Sequence, residues 1–526
     1  MRGKIGCGLM SLVLLGAMAW GGYPDDAFKK RLGNISRAEM QAVVEFLGHD
    51  LLEGRAPGSR GGDLAEIYTR SLCKFMNLEP GAGDRYFQPF NLEKITTSEI
   101  KLEARGETLD FKKDIVGSCT LKEKKFAIAA PAVFVGFGIR ANAWDWDDFK
   151  DVDVAGKIII TRVNDPGFFL GDLFEGRILT YFGRWTYHIE EAARRGARGI
   201  LLIHTTETAG YDWNVVKNSW TGGEFFLPAQ LDGPTVFRGW IREKALKRIL
   251  SPQGPDLEKL YAMSLSRSFR PVDLGVRMRI SGRNDWENII NRNVVATIPG
   301  KVKQRIVLSA HIDHLGKTVG KGDVIFNGAI DNGSAVAAML VTAGILKQFQ
   351  QDLYYTTTIL ACNSEEAGLL GSRYYVDTAD RSHIIANINF ESTPVWKPST
   401  TLMGIGAGFS TFRQLIRRAA KEMGLGVSEF SLANQGLFYR SDQFSFARRG
   451  IPAVWISAGE EEVDGKRHYT RFWRGDYHTV RDEYSRDWDL GGMRQTIQAA
   501  LRIIRRIHDT RTPPRWKGTL TFPVER

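Results

Sequence analysis

Beyond Val272 the chain repeats one pattern: a short, wholly apolar run, then a stretch of helical periodicity, then another apolar run. The runs are Val294–Ile298, Ile306–Ala310, Thr356–Ala361, Ala386–Phe390 and Pro452–Ile456. The helical stretches between and after them are Ser334–Lys347, Phe409–Glu422 and Leu490–Ile507. Strands that are apolar at every position have no solvent face. Alternation with helices therefore predicts an α/β domain with a mostly parallel, doubly wound sheet covered by helices on both sides.

The residues that follow these strands carry the chemistry. In an open α/β sheet, ligands bind beyond the carboxyl ends of the strands. Here Ile306–Ala310 ends at His311-Ile312-Asp313-His314, and Thr356–Ala361 runs into Asn363-Ser364-Glu365-Glu366. Ala386–Phe390 ends at Glu391, Pro452–Ile456 leads to a loop reaching Tyr477-His478, and Asp331 opens the helix at Ser334. Taken singly, such residues are ordinary: a loop histidine, a solvated Glu-Glu pair, an aspartate capping a helix. Their recurrence at strand ends along one sheet edge points to a metal site. Imidazole and carboxylate donors hold zinc at about 2.0–2.2 Å, and two ions fit if one carboxylate bridges.

The first half reads differently. Ser36–Gly48 has an N-cap serine and an apolar face of Met40, Val43, Val44 and Leu47, and a second helix spans about Asp63–Met76. Between them lies the loop Glu53–Gly62. From Ala130 the texture shifts to short apolar runs, Ala132–Ile139, Lys157–Val163 and Gly199–His204, with a helix at His188–Arg195. That stretch predicts a compact mixed domain of its own.

Composition narrows the class. Of 526 residues, 43% are hydrophobic and 25% charged, which excludes disorder and fibrous folds. The net charge of +11 is spread along the chain in clusters no longer than Arg417–Arg418, Arg448–Arg449 and Arg505–Arg506, so no nucleic-acid partner is expected. Gly404-Ile405-Gly406-Ala407-Gly408 lacks the lysine of a phosphate loop and the full dinucleotide spacing. Arg2 and Lys4 before Ile5–Ala19, with Ala17-Met18-Ala19 at a cleavage spacing, form a secretory signal. No later segment reads as a membrane span of about 20 residues, so a secreted or periplasmic chain without a stable anchor is expected. Cleavage would leave three cysteines. Cys73 and Cys119 are a possible bridge in an oxidising compartment, and Cys362 ends an apolar run as a buried thiol.

Asp331-Asn332-Gly333-Ser334, Glu365-Glu366-Ala367-Gly368-Leu369-Leu370-Gly371-Ser372, Ser441-Asp442-Gln443 and Tyr477-His478-Thr479-Val480-Arg481-Asp482 resemble the motifs of the di-zinc exopeptidases typified by bacterial leucyl aminopeptidase and glutamate carboxypeptidase. Ala132–Ile139, Trp144–Asp148 and Asp153–Lys157 resemble the protease-associated domain inserted in many of them. The resemblance implies a layout of signal peptide 1–19, peptidase domain 20–125 and 271–515, insertion 126–270 and tail 516–526. It implies two zinc ions, one on His311, Asp331 and Glu391, the other on Asp331, Glu366 and His478. Glu365 would be the general base, Asp313 the carboxylate that fixes His311, and Tyr439 a substrate-binding hydroxyl for the oxyanion. A cis peptide after Asp331 is also implied. Glu391 stands where the family has aspartate and would shift or weaken its metal. Gln443 replaces a common histidine.

The expected activity is removal of N-terminal residues from peptides bearing a free amine. A carboxypeptidase of the glutamate carboxypeptidase type, a single-zinc glutaminyl cyclase and a non-catalytic binding ectodomain share the same features.

Overall fold

The computed structural model describes residues 25–250 and 254–525, so the signal-peptide expectation for 1–19 lies outside the described residues. The chain forms two compact units, up to Ile35 and from Ser36 onward. The first contains the helix Asp25–Gly33. Everything below concerns the second.

Its sheet contains two parallel blocks. In the first, Ala453–Ala458, Ile384–Asn389, Val302–His311 and Tyr355–Cys362 lie side by side in that order, all parallel. Antiparallel strands close it on both sides, Thr401–Ile405 against Ala453–Ala458 and Val272–Ile298 against Tyr355–Cys362. Nearly every residue of the central strands is buried, as their apolar sequences predict. Helices Leu370–Thr378 and Gln443–Arg448 cover the face carrying Val295, Val307, Leu360 and Ala453. Helices Ala335–Gln348 and Gly491–Thr510 pack on each other and on the same block. The stretch Ala329–Gln348 is, by length and composition, apolar enough to cross a membrane, which corrects the expectation that no later segment would be. It is 94% buried inside the protein and serves as a core helix.

The second parallel block runs Lys125–Phe134, Ile158–Arg162, Gly199–His204, Phe237–Arg242, and Ile115–Cys119 closes it antiparallel. The closing strand precedes position 126, so the sheet of this lobe draws in chain from before the expected boundary. Segment 210–234, which shows no periodicity, packs Trp213, Val216 and Trp220 around Trp240.

A single strand of 27 residues, Val272–Ile298, joins the blocks. It pairs with Lys125–Phe134 at one end, with Tyr355–Cys362 at the other, and with Phe87–Ala104 between. The sequence expectation stopped at Val294–Ile298. The alternation Leu274, Val276, Met278, Ile280, all buried, is the period-two signal of the rest. Cys73, Cys119 and Cys362 are all buried and unpaired, so the possible Cys73–Cys119 bridge is absent. Phe522 in the tail is buried among Phe409, Phe438 and Phe444, which anchors that segment to the domain.

Candidate metal centre

The loops that follow the parallel strands are tied to one another through main-chain atoms. His311 is the last residue of Val302–His311, and the amide of Ile312 donates to the carbonyl of Cys362 on the neighbouring strand (2.8 Å). Arg55, from the loop before Gly62, lies beneath both ligand loops. Its guanidinium donates to the carbonyls of Ile312 (2.9 Å) and Gly328 (3.0 Å), and to those of Leu47 and Asn327. Burial lowers its pKa to about 10, the carboxylates of Asp482, Asp313, Asp331 and Glu366 opposing that fall, so it remains charged at neutral pH.

Asp331 stands in the turn before the helix Ala335–Gln348, and the amides of Ile330 and Asp331 both donate to the Asp482 carboxylate (2.8 and 2.9 Å). The Asp331–Asn332 peptide is cis. The Asn332 side chain accepts from the amide of Ser392 (2.8 Å), linking this turn to the segment holding Glu391. The amides of Glu365 and Glu366 donate to the Asp313 carboxylate (3.0 and 3.2 Å). Asn291 donates to Asn363 and Ser364, and Asn363 to Glu66, pinning the turn from behind. Ser441 donates to Glu391 Oε2 at 2.5 Å.

These anchors bring six predicted residues together. His311 Nε2 lies 3.3 Å from Asp331 Oδ1, 3.2 Å from Glu391 Oε1 and 3.8 Å from Glu365 Oε2. On the other side of Asp331, His478 Nε2 lies 3.2 Å from Asp331 Oδ2 and 3.2 Å from Glu366 Oε2. The two oxygens of one buried carboxylate therefore face two separate donor sets.

Electrostatics mark a site short of positive charge. Burial alone would favour neutral imidazoles, yet Glu391 and Glu365 hold the His311 pKa well above its ordinary value. Burial is likewise outweighed at His478, where Glu366 and Asp331 raise the pKa to about 10. Glu365 is pushed well above the carboxylate range by burial, with Glu366 and Glu391 adding to it. Asp331 Oδ2, Glu366 Oε1 and His478 Nε2 are buried without a hydrogen-bond partner. Orphaned acceptors facing one another are costly unless a cation lies between them, so the donor set fits zinc.

Two expectations require correction. Asp313 was to hold His311 through its carboxylate, but His311 Nδ1 is 3.1 Å from the Asp313 main-chain oxygen and 3.7 Å from the side chain. The carboxylate instead shapes the Glu365–Glu366 turn. Tyr439 donates nothing to the centre. Its hydroxyl pairs with Thr521 (2.6 Å) and its ring packs against Phe438, Phe444 and Phe522.

Sequence reasoning assigned no role to His314, Arg55 or Asp482. His314 Nδ1 lies 2.7 Å from Glu366 Oε1, and His314 is fully buried. Its signal was a second histidine three residues after His311. Arg55 and Asp482 bind main-chain atoms, and no spacing encodes such partners.

Residues 293–504 match Peptidase family M28. Aminopeptidase YwaD of Bacillus subtilis (strain 168) is 32% identical over 149 residues, 27% of this chain and 31% of that protein. The match thus spans under a third of the relative's length. Among solved structures, the aminopeptidase from Aneurinibacillus sp. strain AM-1 superposes with a TM-score of 0.52 at 17% identity, covering 95% of this chain and 98% of that one. A zinc aminopeptidase from Bacillus subtilis, BSAP, gives 0.45 at 15% identity over 89% and 94% of the two chains. The first of these likenesses bears out the mixed α/β fold with its large, mostly parallel sheet. Every residue of the cluster, from His311 to His478, falls inside the segment that matches Peptidase family M28.

Proposed function

We propose that this chain is a zinc-dependent aminopeptidase with a two-metal centre. One observation carries the reading: Asp331 divides its two oxygens between His311 with Glu391 and His478 with Glu366. His311, Asp331 and Glu391 would hold one zinc, and Asp331, Glu366 and His478 the other. Bound zinc supplies Lewis acidity and lowers the pKa of water toward neutrality.

Glu365 is the proton carrier. Its carboxylate sits at the edge of the cluster, unpaired with any lysine or arginine among the described residues, and burial raises its affinity for a proton. It accepts the proton of the attacking water and returns it to the leaving amine. Asp313 positions Glu365 by receiving two consecutive amides, while Ser441 orients Glu391. The named relatives are aminopeptidases, which favours peptides with a free amino terminus as substrates.

The insertion implied by the sequence, whose sheet also takes in Ile115–Cys119, restricts access to short peptides and flexible termini in this reading. Export directed by residues 1–19 belongs to it too, which cell fractionation checks: a cytosolic protein would contradict it. The activity is tested by comparing free-amino and N-blocked peptides with wild type and Glu365→Gln. Cleavage of free-amino peptides alone, with a rate loss of at least about 10²-fold in the variant, is expected from removing a general base. Equal cleavage of blocked peptides would overturn the aminopeptidase assignment.

A further inference from the structure

The two donor sets are unequal, and His314 makes them so. Around Asp331 Oδ1 stand one imidazole and one carboxylate, His311 and Glu391. Around Asp331 Oδ2 stand His478, Glu366 and also His314. His314 Nδ1 is 2.7 Å from Glu366 Oε1 and 3.9 Å from Asp331 Oδ2, and its ring meets that of His478 edge-on at 5.7 Å. Glu366 therefore presents one oxygen to each imidazole, Oε2 to His478 and Oε1 to His314.

Hydrogen bonding does not account for this placement. His314 Nε2 has no hydrogen-bond partner, and Nδ1 approaches Glu366 Oε1 at ion-pair distance without the alignment of a hydrogen bond. The residue is fully buried, where an unsatisfied imidazole is destabilising. Its position is also fixed. The His314 amide donates to the Arg55 carbonyl (3.3 Å), and Gly328 packs so closely on the ring that an added Cβ would stand 2.5 Å from it. A buried imidazole held rigid, with a lone pair facing two orphaned carboxylate oxygens, has the properties of a metal ligand.

We infer that His314 is a fourth protein donor to the metal held by Asp331, Glu366 and His478. This rests on the metal-centre reading above. The centre is then asymmetric: two imidazoles and two carboxylates hold one ion, while His311, Asp331 and Glu391 hold the other with a single imidazole. Nitrogen-rich sites favour zinc over oxygen-preferring cations. The first ion should therefore bind tightly at the His314 site, and the second should be the exchangeable one.

Zinc titration against a competing chelator, on wild type, His314→Gln and His311→Gln, reads this without any activity measurement. Wild type is expected to show two classes of site. His314→Gln should weaken the tighter class by at least about 10–100-fold, the loss seen when even an outer partner of a metal ligand is removed. His311→Gln should act on the weaker class. X-ray absorption of fully loaded wild type, independent of any variant's folding, should count three imidazoles shared between two ions. A count of two, or a tight class unchanged in His314→Gln, would overturn the inference and leave the two-metal reading standing. A wild type that binds no zinc would overturn both.

Discussion

Arg55 sets the spacing between the loops that carry His311 and Asp331. It donates to both Ile312 and Gly328 from a position 1% exposed, facing the carboxylates of Asp482, Asp313 and Asp331. Arg55→Met would leave those carbonyls unsatisfied and that negative charge uncompensated, a loss of about 3–5 kcal/mol. Arg55→Lys keeps the charge but has no planar fork to span several carbonyls. Both variants should lower Tm, Met the more, and both should weaken zinc binding. An unchanged Tm in Arg55→Met would refute this role. A second residue-scale effect concerns His508, whose Nδ1 accepts the amide of Tyr355 (3.1 Å). Burial lowers its pKa from 6.5 to about 4. The unfolded chain then binds the extra proton between those values, so stability is complete above about pH 6.5 and is lost as pH falls toward 4. The slope this one group adds is at most about 1.4 kcal/mol per pH unit. His508→Gln, which can still accept from Tyr355, should flatten the Tm-against-pH curve in that window, and an unaltered slope would contradict the assignment.

At the scale of elements, the tail is the test of what holds the aromatic cluster beside the centre. Phe522 is 3% exposed, the Thr521 and Tyr439 hydroxyls pair, and Glu525 pairs with Arg448. Phe522→Ala should cost about 3–5 kcal/mol by opening a cavity, while zinc content stays at the wild-type level. Loss of zinc in that variant would mean that the cluster supports the ligands directly. The strands of the first parallel block were legible because a strand buried on both faces must be apolar throughout, as Ile306–Ala310 and Pro452–Ile456 are. Six site residues were legible because imidazoles and carboxylates gather at the ends of those strands. Tyr439 was not: an aromatic in the short turn Leu437–Tyr439 can point either way, and a partner 82 positions later decides it. The strand Ile115–Cys119 was also hidden, because Ile-Val-Gly-Ser-Cys is buried at every position without being apolar throughout.

For the whole molecule, charge is distributed against expectation. The chain carries +11 overall, yet Asp331, Glu365, Glu366 and Glu391 converge with the imidazoles of His311, His314 and His478, most of them buried. Without cations these carboxylates repel one another and stay desolvated. Metal binding should therefore contribute to stability, by about 2.7 kcal/mol per site at a hundredfold excess of free zinc over Kd. Chelation should lower Tm reversibly, and zinc should restore it. A Tm indifferent to chelation would count against the arrangement. One carboxylate, Asp331, is placed to serve both ions. Zinc content per chain after exhaustive dialysis, wild type beside Asp331→Asn, tests that role most directly. Two zincs are expected in wild type, and neither held tightly in the variant. A variant that keeps its full zinc content, or a wild type that never exceeds one, would contradict it.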